Sequence, residues 1–315
     1  MPLPLASLSL DLDNLWSYLK THGEAGWETY PSYLEIVVPR VLDFLAARKL
    51  RITWFIVGKD AAEPKHHDIL RSITARGHEV GNHSFNHEPW LHLYSEEQIE
   101  AELAQTEAAI ELATGVRPTG FRGPGFSFSP TLLSVLARRG YQYDASTFPT
   151  FLGPLARLYY FATARGLSKE EREKRKKLFG RITDGFRPLR PYTWKTPSGP
   201  LLEIPVTTMP IAKVPIHVSY LLFLGGYSRT LAKLYWRTAL TMCRATGTEL
   251  SLLLHPLDFM GCDDTDRLSF FPAMKRPSAE KLVLVAELFD MLTSAFTVVP
   301  MGEHATAIAA RSGRK

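Results

Sequence analysis

Short apolar segments typical of strands alternate with amphipathic segments typical of helices along most of the 315-residue chain. β-Branched and aromatic runs predict strands, whereas apolar residues spaced three and four positions apart predict helices. The predicted strands are Ser7–Leu12, Arg51–Val57, His78–Asn82, Pro118–Arg122, Tyr141–Ser146, Leu201–Thr207, Glu249–His255 and Phe296–Val299. This alternation predicts an α/β fold with a parallel sheet. Seven or eight such units in one chain favour a (β/α) barrel over an open sheet.

One long segment, 148–200, interrupts the alternation. We interpret it as an insertion into a single domain that spans residues 1–315, rather than as a second domain. A charged helix is predicted within it over Lys169–Lys177. The apolar stripe that precedes this helix at helical spacing consists of Leu155, Leu158, Tyr159 and Ala162.

Positive charge is concentrated in the segment 151–215, which contains thirteen Lys or Arg and five Asp or Glu residues. The whole chain has a formal net charge of +5, so this segment, at +8, leaves the remainder at −3. A uniformly basic surface for nucleic acid is therefore disfavoured, and no nucleic-acid-binding motif is present. Two interpretations stay open for the segment: a solvated helix that covers the barrel, or a contact with an anionic membrane surface.

The N-terminal sequence lacks the basic region of a signal peptide, and no run of about 18 uncharged apolar residues predicts a membrane-spanning helix. Only two cysteines occur, Cys243 and Cys262, which excludes a disulfide-rich secreted scaffold. We therefore expect a cytoplasmic protein. Association with the cytoplasmic face of a membrane is the alternative if the basic segment binds lipid.

Two carboxylates, Asp11 and Asp13, end the first predicted strand. Residues two apart on a strand point to the same side, so the two charges repel each other unless a cation lies between them. A strand end that is simply solvated can show the same pattern, and this alternative stays open for the pair alone.

Two histidines four residues apart, His83 and His87, follow the third predicted strand. On a helical turn or a tight loop they can bind one metal ion. Together with Asp13 they would provide two imidazoles and one carboxylate, which leaves coordination positions for water and substrate. Ordinary surface or core histidines also occur at this spacing, so the pair alone does not decide between a ligand role and a structural one.

Three further polar groups follow later strands. Arg122 precedes a Gly-Pro-Gly125 loop, so its guanidinium can hold Asp11 ionised while a backbone N–H faces an oxyanion. Asp144 ends the next strand, and His255 ends an apolar strand, a suitable place for a general acid. The alternatives are an ordinary turn with a surface arginine, and a core histidine.

The order of five motifs at successive strand ends resembles the polysaccharide deacetylases, the family-four carbohydrate esterases with a NodB homology domain. These motifs are Asp11-Leu-Asp13, His83-Ser-Phe-Asn-His87, Arg122-Gly-Pro-Gly, Asp144-Ala-Ser and Leu252-Leu-Leu-His255. The resemblance runs from about Ser7 to Ile308. It implies a distorted (β/α) barrel of seven or eight strands and a metal-dependent N-deacetylase activity.

The resemblance also implies a role for each motif residue. Asp11 would be the catalytic base, and Arg122 would orient it. His255 would be the general acid, tuned by Asp144, and the backbone N–H of Gly125 would stabilise the oxyanion. The ligands of one divalent metal ion, expected to be Zn²⁺, would be Asp13, His83 and His87.

The expected substrate is an N-acylated amino sugar, with acetyl as the expected acyl group, in a lipid-linked saccharide or an exopolysaccharide precursor. Two departures from the family pattern affect this expectation. Leu12 separates two aspartates that are adjacent in the usual motif, and the fourth motif lacks its usual downstream Trp. An amidase, cyclic imidase or deformylase with the same site is therefore an alternative. An inactive membrane- or carbohydrate-binding barrel is a second one.

Overall fold

The computed structural model describes residues 3–153, 182–271 and 273–312, which surround one curled, mainly parallel sheet. The strands within the described residues are β1 (Leu5–Leu12), β2 (Thr53–Ile56), β3 (Glu79–Asn82), β4 (Gly120–Phe121), β5 (Tyr143–Asp144), β6 (Tyr192–Thr196), β7 (Gly199–Glu203), β8 (Leu250–Leu254) and β9 (Thr297–Val299). They follow the order β6-β7-β5-β4-β3-β2-β1-β8, and β9 pairs with β1. Only β6 and β7 pair in the antiparallel sense among these strands.

Helices occupy the connections between the strands. They are α1 (Leu15–His22), α2 (Leu34–Ala46), α3 (Gly58–Ala61), α4 (His67–Ala75), α5 (Glu96–Thr114), α6 (Pro130–Arg138), α7 (Val218–Tyr227), α8 (Arg229–Thr246), α9 (Ser278–Ala295) and α10 (Met301–Ser312). Local sequence explains two of the starts: Ser95 and Gln98 form a capping box at α5, and Pro130 opens α6 after the Ser129 cap. Of the helices described here, none combines the length and apolar character needed to cross a bilayer.

The strand β1 makes more pairings than its neighbours in the sheet, because three strands pair with it. β2 pairs with its C-terminal half, β9 with its N-terminal end, and β8 along its length. Apart from Leu5, which is half-buried, its apolar residues and its polar residues Ser7, Ser9 and Asp11 are all buried, which shows that both faces of the strand are covered. This is typical of a parallel strand inside a barrel. The polar face of β1 therefore points into a closed interior, where each polar group needs a partner.

The segment after β7 bridges the two ends of the strand order. The backbone N–H of Thr207 donates to Ser251 O on β8 at 2.9 Å, and Thr207 Oγ1 accepts from Ser251 N at 2.8 Å. On the other side, Ile204 N donates to Asp144 O at 2.9 Å. These contacts curl the sheet into a distorted barrel, and the predicted α/β class is confirmed.

The apolar core that supports this sheet includes two completely buried tryptophans. Trp54 lies on β2, and Trp236 lies on α8 with its Nε1–H donating to Leu288 O at 2.9 Å. Burial of a large apolar side chain stabilises the fold by roughly 2–3 kcal/mol. The core thus supports β1, β2 and β8, and two of these strands, β1 and β8, carry polar motifs at their C-terminal ends.

The eight predicted strands all occur, although their ends differ from the predicted ones. The additional strand β6 lies inside the segment that the sequence pattern identifies as an insertion, and it forms a hairpin with β7. The helices α1, α3, α7 and α10 are also additional to the predicted ones. The apolar stripe at 155–162 and the charged helix at 169–177 lie outside the described residues.

Candidate metal and catalytic site

The C-terminal ends of the parallel strands bring the polar motifs to one edge of the sheet. Asp11 on β1 lies opposite Phe55 on β2. Phe121 on β4 lies between Asn82 of β3 and Asp144 of β5. Because these registers align the strand ends, the residues that follow them emerge at the same edge, as in other parallel barrels. Motifs that are far apart in the chain therefore meet in space.

Asp13, His83 and His87 form a compact group of side chains that can bind a metal. One ligand atom from each lies within 4.8 Å of the other two. Nε2 of His87 is 2.9 Å, and Nε2 of His83 is 3.4 Å, from Asp13 Oδ1. All three residues are buried, and Asp13 Oδ1 has no well-aligned hydrogen-bond donor among the described residues. A buried oxygen and two imidazole nitrogens that converge in this way fit a divalent ion such as Zn²⁺.

The backbone fixes the orientation of both histidines. Nδ1 of His83 lies 2.7 Å from the carbonyl oxygen of Arg122, so Nδ1 carries the proton and Nε2 is free to bind a metal. His87 has φ +51° and Ser84 has φ +60°, in the left-handed region. This region costs a residue other than glycine about 1 kcal/mol. Such local strain is found where surrounding structure holds a loop in a functional shape.

Glu102 on α5 holds the loop between the two histidines. Its Oε2 accepts hydrogen bonds from Phe85 N at 2.7 Å and Asn86 N at 3.1 Å, and its Oε1 accepts from Asn86 Nδ2 at 2.5 Å. Because Glu102 is buried, these charge-assisted bonds are shielded from water. The sequence motifs do not include Glu102, and its one signal is an acidic residue on the buried face of a helix.

The charges of Asp13, His83 and their neighbours shift each other's pKa values strongly. Burial alone would raise the pKa of Asp13, but the adjacent His87 and His83 outweigh burial and hold that pKa well below its ordinary value. Burial would lower the pKa of His83, but Asp11 and Asp13 reverse the effect and raise it overall. A proton on His83 thus takes the place of a cation in the charge balance. Metal binding and protonation at this site should therefore compete.

Arg122 is fully buried and lies against Asp11. Its Nη1 donates to Asp11 Oδ1 at 2.9 Å and to Ser9 Oγ at 2.8 Å, and its Nε donates to Ala145 O at 3.0 Å. The other carboxylate oxygen of Asp11, Oδ2, is 3.9 Å from His83 Nε2. Asp11 therefore lies between a buried cation and the group that can bind a metal. The role predicted for Arg122 depends on this contact.

Asp144 supports the loop that follows Arg122. Ser146 Oγ donates to Asp144 Oδ1 at 2.5 Å and accepts from the backbone N–H of Gly123 at 2.8 Å. Two residues further on, Gly125 is exposed and has φ +57°, a conformation that favours glycine. The loop that carries the predicted oxyanion N–H is thus anchored at Gly123 and exposed at Gly125.

A second buried carboxyl group, Glu203, lies beside Asp144. Burial and the negative charge of Asp144 raise the pKa of Glu203 well above its ordinary value, and burial also raises the pKa of Asp144. Glu203 accepts hydrogen bonds from Thr147 N at 3.0 Å and Trp194 Nε1 at 2.9 Å. Two carboxyl groups this close favour one proton, held on Glu203. Glu203 carries no sequence motif and is an addition to the predicted site.

His255, at the end of β8, is held by Asp258. Nδ1 of His255 is 3.2 Å from Ser219 Oγ, which donates to Asp258 Oδ1 at 2.6 Å, and Asp258 Oδ2 accepts from His255 N at 2.8 Å. Asp144 instead accepts a hydrogen bond from Ser146. The structure thus places Asp258 beside His255, and the role of Asp144 in tuning His255 stays a prediction. Asp258 reaches this position through the tight turn Pro256–Asp258, which folds back onto the strand end.

Two more polar side chains near His255 have no sequence signal. The ring of His217 lies 6.3 Å from that of His255, and burial together with His255 lowers the pKa of His217 to about 3, so His217 is neutral. Tyr18 Oη and His217 Nδ1 are buried without a hydrogen-bond partner in the described part of the chain. Burial, with the negative charge of Asp13, raises the pKa of Tyr18 well above its ordinary value. Both side chains can therefore meet a ligand as neutral groups.

Comparison with known proteins assigns part of this site to a family. The sequence profile of the polysaccharide deacetylase family matches residues 25–143. The match contains both histidines and the Arg122 loop, but it begins after Asp13 and ends before Asp144. The residues outside the match join the others through the contacts described above.

Two curated relatives act on acetylated saccharides according to their names. A peptidoglycan deacetylase from Helicobacter pylori is 27% identical over 172 residues, which cover 52% of this chain and 55% of the relative. A chitooligosaccharide deacetylase from Sinorhizobium fredii is 30% identical over 133 residues, covering 39% of this chain and 60% of the relative. The chain thus spans less than two thirds of the length of these relatives.

Solved structures agree on the fold over almost the whole chain. A candidate polysaccharide deacetylase from Mycobacterium smegmatis aligns with a TM-score of 0.64 and 20% identity, covering 99% of this chain and 92% of the other. Puue allantoinase aligns with a TM-score of 0.55 and 17% identity, covering 96% of this chain and 89% of the other. These likenesses show the fold of the whole chain, while the profile match identifies residues 25–143 as similar to the polysaccharide deacetylase family.

Proposed function

We propose that the chain is a metal-dependent hydrolase that removes an N-acyl group from an amino sugar, with acetyl as the simplest substrate group. One observation carries this proposal: Asp13, His83 and His87 converge beside Asp11, which is paired with the buried Arg122. The arrangement offers a site for a cation next to a carboxylate that does not belong to the ligand set. Metal-assisted hydrolysis of an amide uses both.

The group of three fits a divalent ion. Asp13 Oδ1 and the Nε2 atoms of His83 and His87 would hold it, since Nδ1 of His83 is already engaged with a backbone carbonyl. Three protein ligands leave coordination positions open, as in hydrolytic zinc sites. When bound, such an ion polarises an amide carbonyl and makes water more acidic.

The other residues have separate tasks in the proposed reaction. Asp11 accepts the proton of the attacking water, and Arg122 holds its carboxylate in place through Nη1. The backbone N–H of Gly125 donates to the oxygen that gains negative charge. His255 gives a proton to the leaving amine, because expulsion of an unprotonated amine is slow. Asp258 keeps the imidazole oriented through Ser219.

The test combines metal analysis with hydrolysis assays on the full chain. We expect about one Zn²⁺ or similar ion per chain and release of acetate from N-acetylated amino sugars. Asp11→Asn should keep the metal and lose activity, because the ligands remain and the base is gone. His87→Ala should lose both. The matched control is Asp43→Asn, since Asp43 makes an exposed ion pair with Arg76 and lies outside the site.

Each alternative function has its own outcome in that test. Metal with hydrolysis of simple amides or cyclic imides, but not of amino sugars, would select the amidase or imidase alternative. A purified chain without metal and without any hydrolysis would select the inactive binding barrel. Activity that survives in Asp11→Asn would refute the role proposed for Asp11.

Membrane association through the segment 151–215 remains a separate proposal. Most of its positive charge lies outside the described residues. In the described part, Lys213 Nζ donates to the backbone carbonyl of Arg187 and is therefore engaged within the protein. Co-sedimentation with anionic vesicles at low salt tests the proposal, and neutral vesicles serve as the control. Equal binding to both, or binding to neither, would contradict it.

A further inference from the structure

A large apolar cavity lies directly beside His255. Its volume is about 750 Å³, in the size range that accommodates a drug-sized ligand. Apolar and aromatic side chains form most of its wall, among them Tyr18, Phe126, Phe148, Tyr220, Phe223 and Phe271. The walls therefore come from five separate parts of the chain, which makes this a built cavity rather than a gap at one loop.

The cavity is continuous with the proposed catalytic residues. Its wall includes His255 and Asp258 on one side. On another side it includes Ser146, which holds the Arg122 loop through Gly123 N. A substrate whose amide nitrogen faces His255 must therefore direct one of its substituents into this space.

The chemistry of the cavity walls indicates which kind of substituent of the substrate fits there. Most of the wall surface is apolar, so a sugar ring buried there would leave several hydroxyl groups without hydrogen-bond partners, at a substantial energetic penalty for each. The wall also contains the charged pair Asp184 and Arg187, but these two groups lie 3.1 Å apart and pair with each other. The methyl of an acetyl group would leave most of the space empty, and empty apolar space forfeits dispersion contacts. A hydrocarbon chain can fill the cavity without either problem.

We propose that the cavity binds a hydrocarbon chain of the substrate, so that the preferred substrate is an amphipathic N-acylated amino sugar rather than a polysaccharide. This inference rests on the proposed function for its reaction, but not for its binding. The chain has two possible sources, the N-acyl group itself or a lipid attached elsewhere on the sugar. Both present the same methylene chemistry to the cavity.

The experiment uses two series of synthetic substrates. In the first, the N-acyl group of glucosamine grows from acetyl to dodecanoyl. In the second, the acyl group stays acetyl and the alkyl group of an alkyl N-acetylglucosaminide grows over the same range. We expect kcat/KM in one series to rise by roughly two- to fourfold per added methylene until the cavity is full, as burial of CH₂ groups predicts. The series that responds identifies the source of the chain.

A charged residue in the wall should remove this preference. Phe223 lines the cavity at its rim and is 38% exposed, so Phe223→Glu can fold while it places a carboxylate against the chain. We expect the ratio of kcat/KM for the dodecyl member of the responding series to kcat/KM for N-acetylglucosamine to fall at least about tenfold. Leu234→Glu on α8 is the matched control, because Leu234 is exposed and does not line the cavity.

Calorimetry separates failure of this inference from failure of the proposed function. Wild-type protein should bind N-dodecanoylglucosamine or dodecyl N-acetylglucosaminide with a negative heat-capacity change and should bind N-acetylglucosamine much more weakly. Chain-dependent binding without hydrolysis would leave the cavity assignment standing and overturn the proposed reaction. Hydrolysis of acetylated sugars with no dependence on chain length in either series, or in binding, would overturn the cavity assignment alone.

Discussion

The pairing of Arg122 with Asp11 predicts a strong energetic coupling between the two residues. Arg122 is fully buried, Asp11 is nearly so, and Nη1 lies 2.9 Å from Oδ1. Removal of one partner leaves a buried charge without its counterion, which costs about 3–5 kcal/mol of the free energy of unfolding. Arg122→Met removes the guanidinium and keeps a long apolar side chain. Asp11→Asn keeps a hydrogen-bond acceptor but removes the negative charge, so we expect a loss near the lower end of this range.

The double variant Arg122→Met/Asp11→Asn contains neither charge. Its destabilisation should therefore be smaller than the sum of the single losses, by about 2–3 kcal/mol. The assay is urea unfolding of the four metal-free proteins with excess chelator, followed in parallel by circular dichroism and tryptophan fluorescence. Coincident curves from the two probes show that the free energies are comparable.

Additive losses, equal to the sum of the single effects within about 0.5 kcal/mol, would refute the reasoning. Such a result would mean that water or another group screens the pair. A second measurement, the metal content, distinguishes an effect on the Arg122–Asp11 ion pair from an effect on the group Asp13, His83 and His87. Arg122→Met keeps the backbone carbonyl that accepts from His83 Nδ1, so its metal content should stay at the wild-type level while its activity falls.

Three further predictions test two groups around the candidate site and one group, His78, directly before β3. Asp258→Asn should lower kcat about tenfold or more and change the pH profile of kcat, with little change in metal content, because it disturbs only the hold on His255; an unchanged profile would assign that carboxyl a purely structural role. Glu102→Gln should weaken metal affinity about 10- to 100-fold, measured by competition with a chelator, whereas the exposed Glu111→Gln on the same helix should not. Burial lowers the pKa of His78 to about 4, below its unfolded value of 6.5, so the free energy of unfolding falls as the pH drops from 6.5 to 4. Urea unfolding at pH 6.5 and at pH 4 measures this loss. In His78→Asn the loss should be smaller by about 2 kcal/mol, after allowance for partial screening.

The parallel strands could be predicted because their signal is local. β8 is a run of buried leucines around Ser251, and β1 alternates apolar and small polar residues up to Asp11, so burial and strand period appear directly in the sequence. β6 carries a similar alternation over Tyr192–Thr196, with a turn at Ser198 before Gly199. It escapes prediction because it is an edge strand whose side chains are mostly half-exposed, and because it lies in a segment without regular helix spacing.

The proximity of Asp13, His83 and His87 could be predicted for a similar reason, since all three follow parallel strands whose ends meet at one edge of the sheet. His83 and His87 lie on one loop, and Asp13 follows a strand whose direction is determined by its burial. Asp258 also left a local trace, because it stands three residues after His255 with a proline between them, the pattern of a capped turn. Glu203 left none, because only the pairing of β5 with β7 brings it to Asp144.

The division between predictable and unpredictable residues follows the division of tasks in the site. The groups proposed to act on the amide end strands of the barrel, and strand ends are short motifs with recognisable chemistry. The groups that shape the cavity come from α1, α7 and loops, where Tyr18, His217 and Phe223 look like ordinary core residues in the sequence. α7 has almost no polar face, so its pattern cannot show which side faces a ligand and which faces the core. Motifs therefore support the proposed reaction class, whereas the apolar cavity becomes visible only when α7 is placed beside His255.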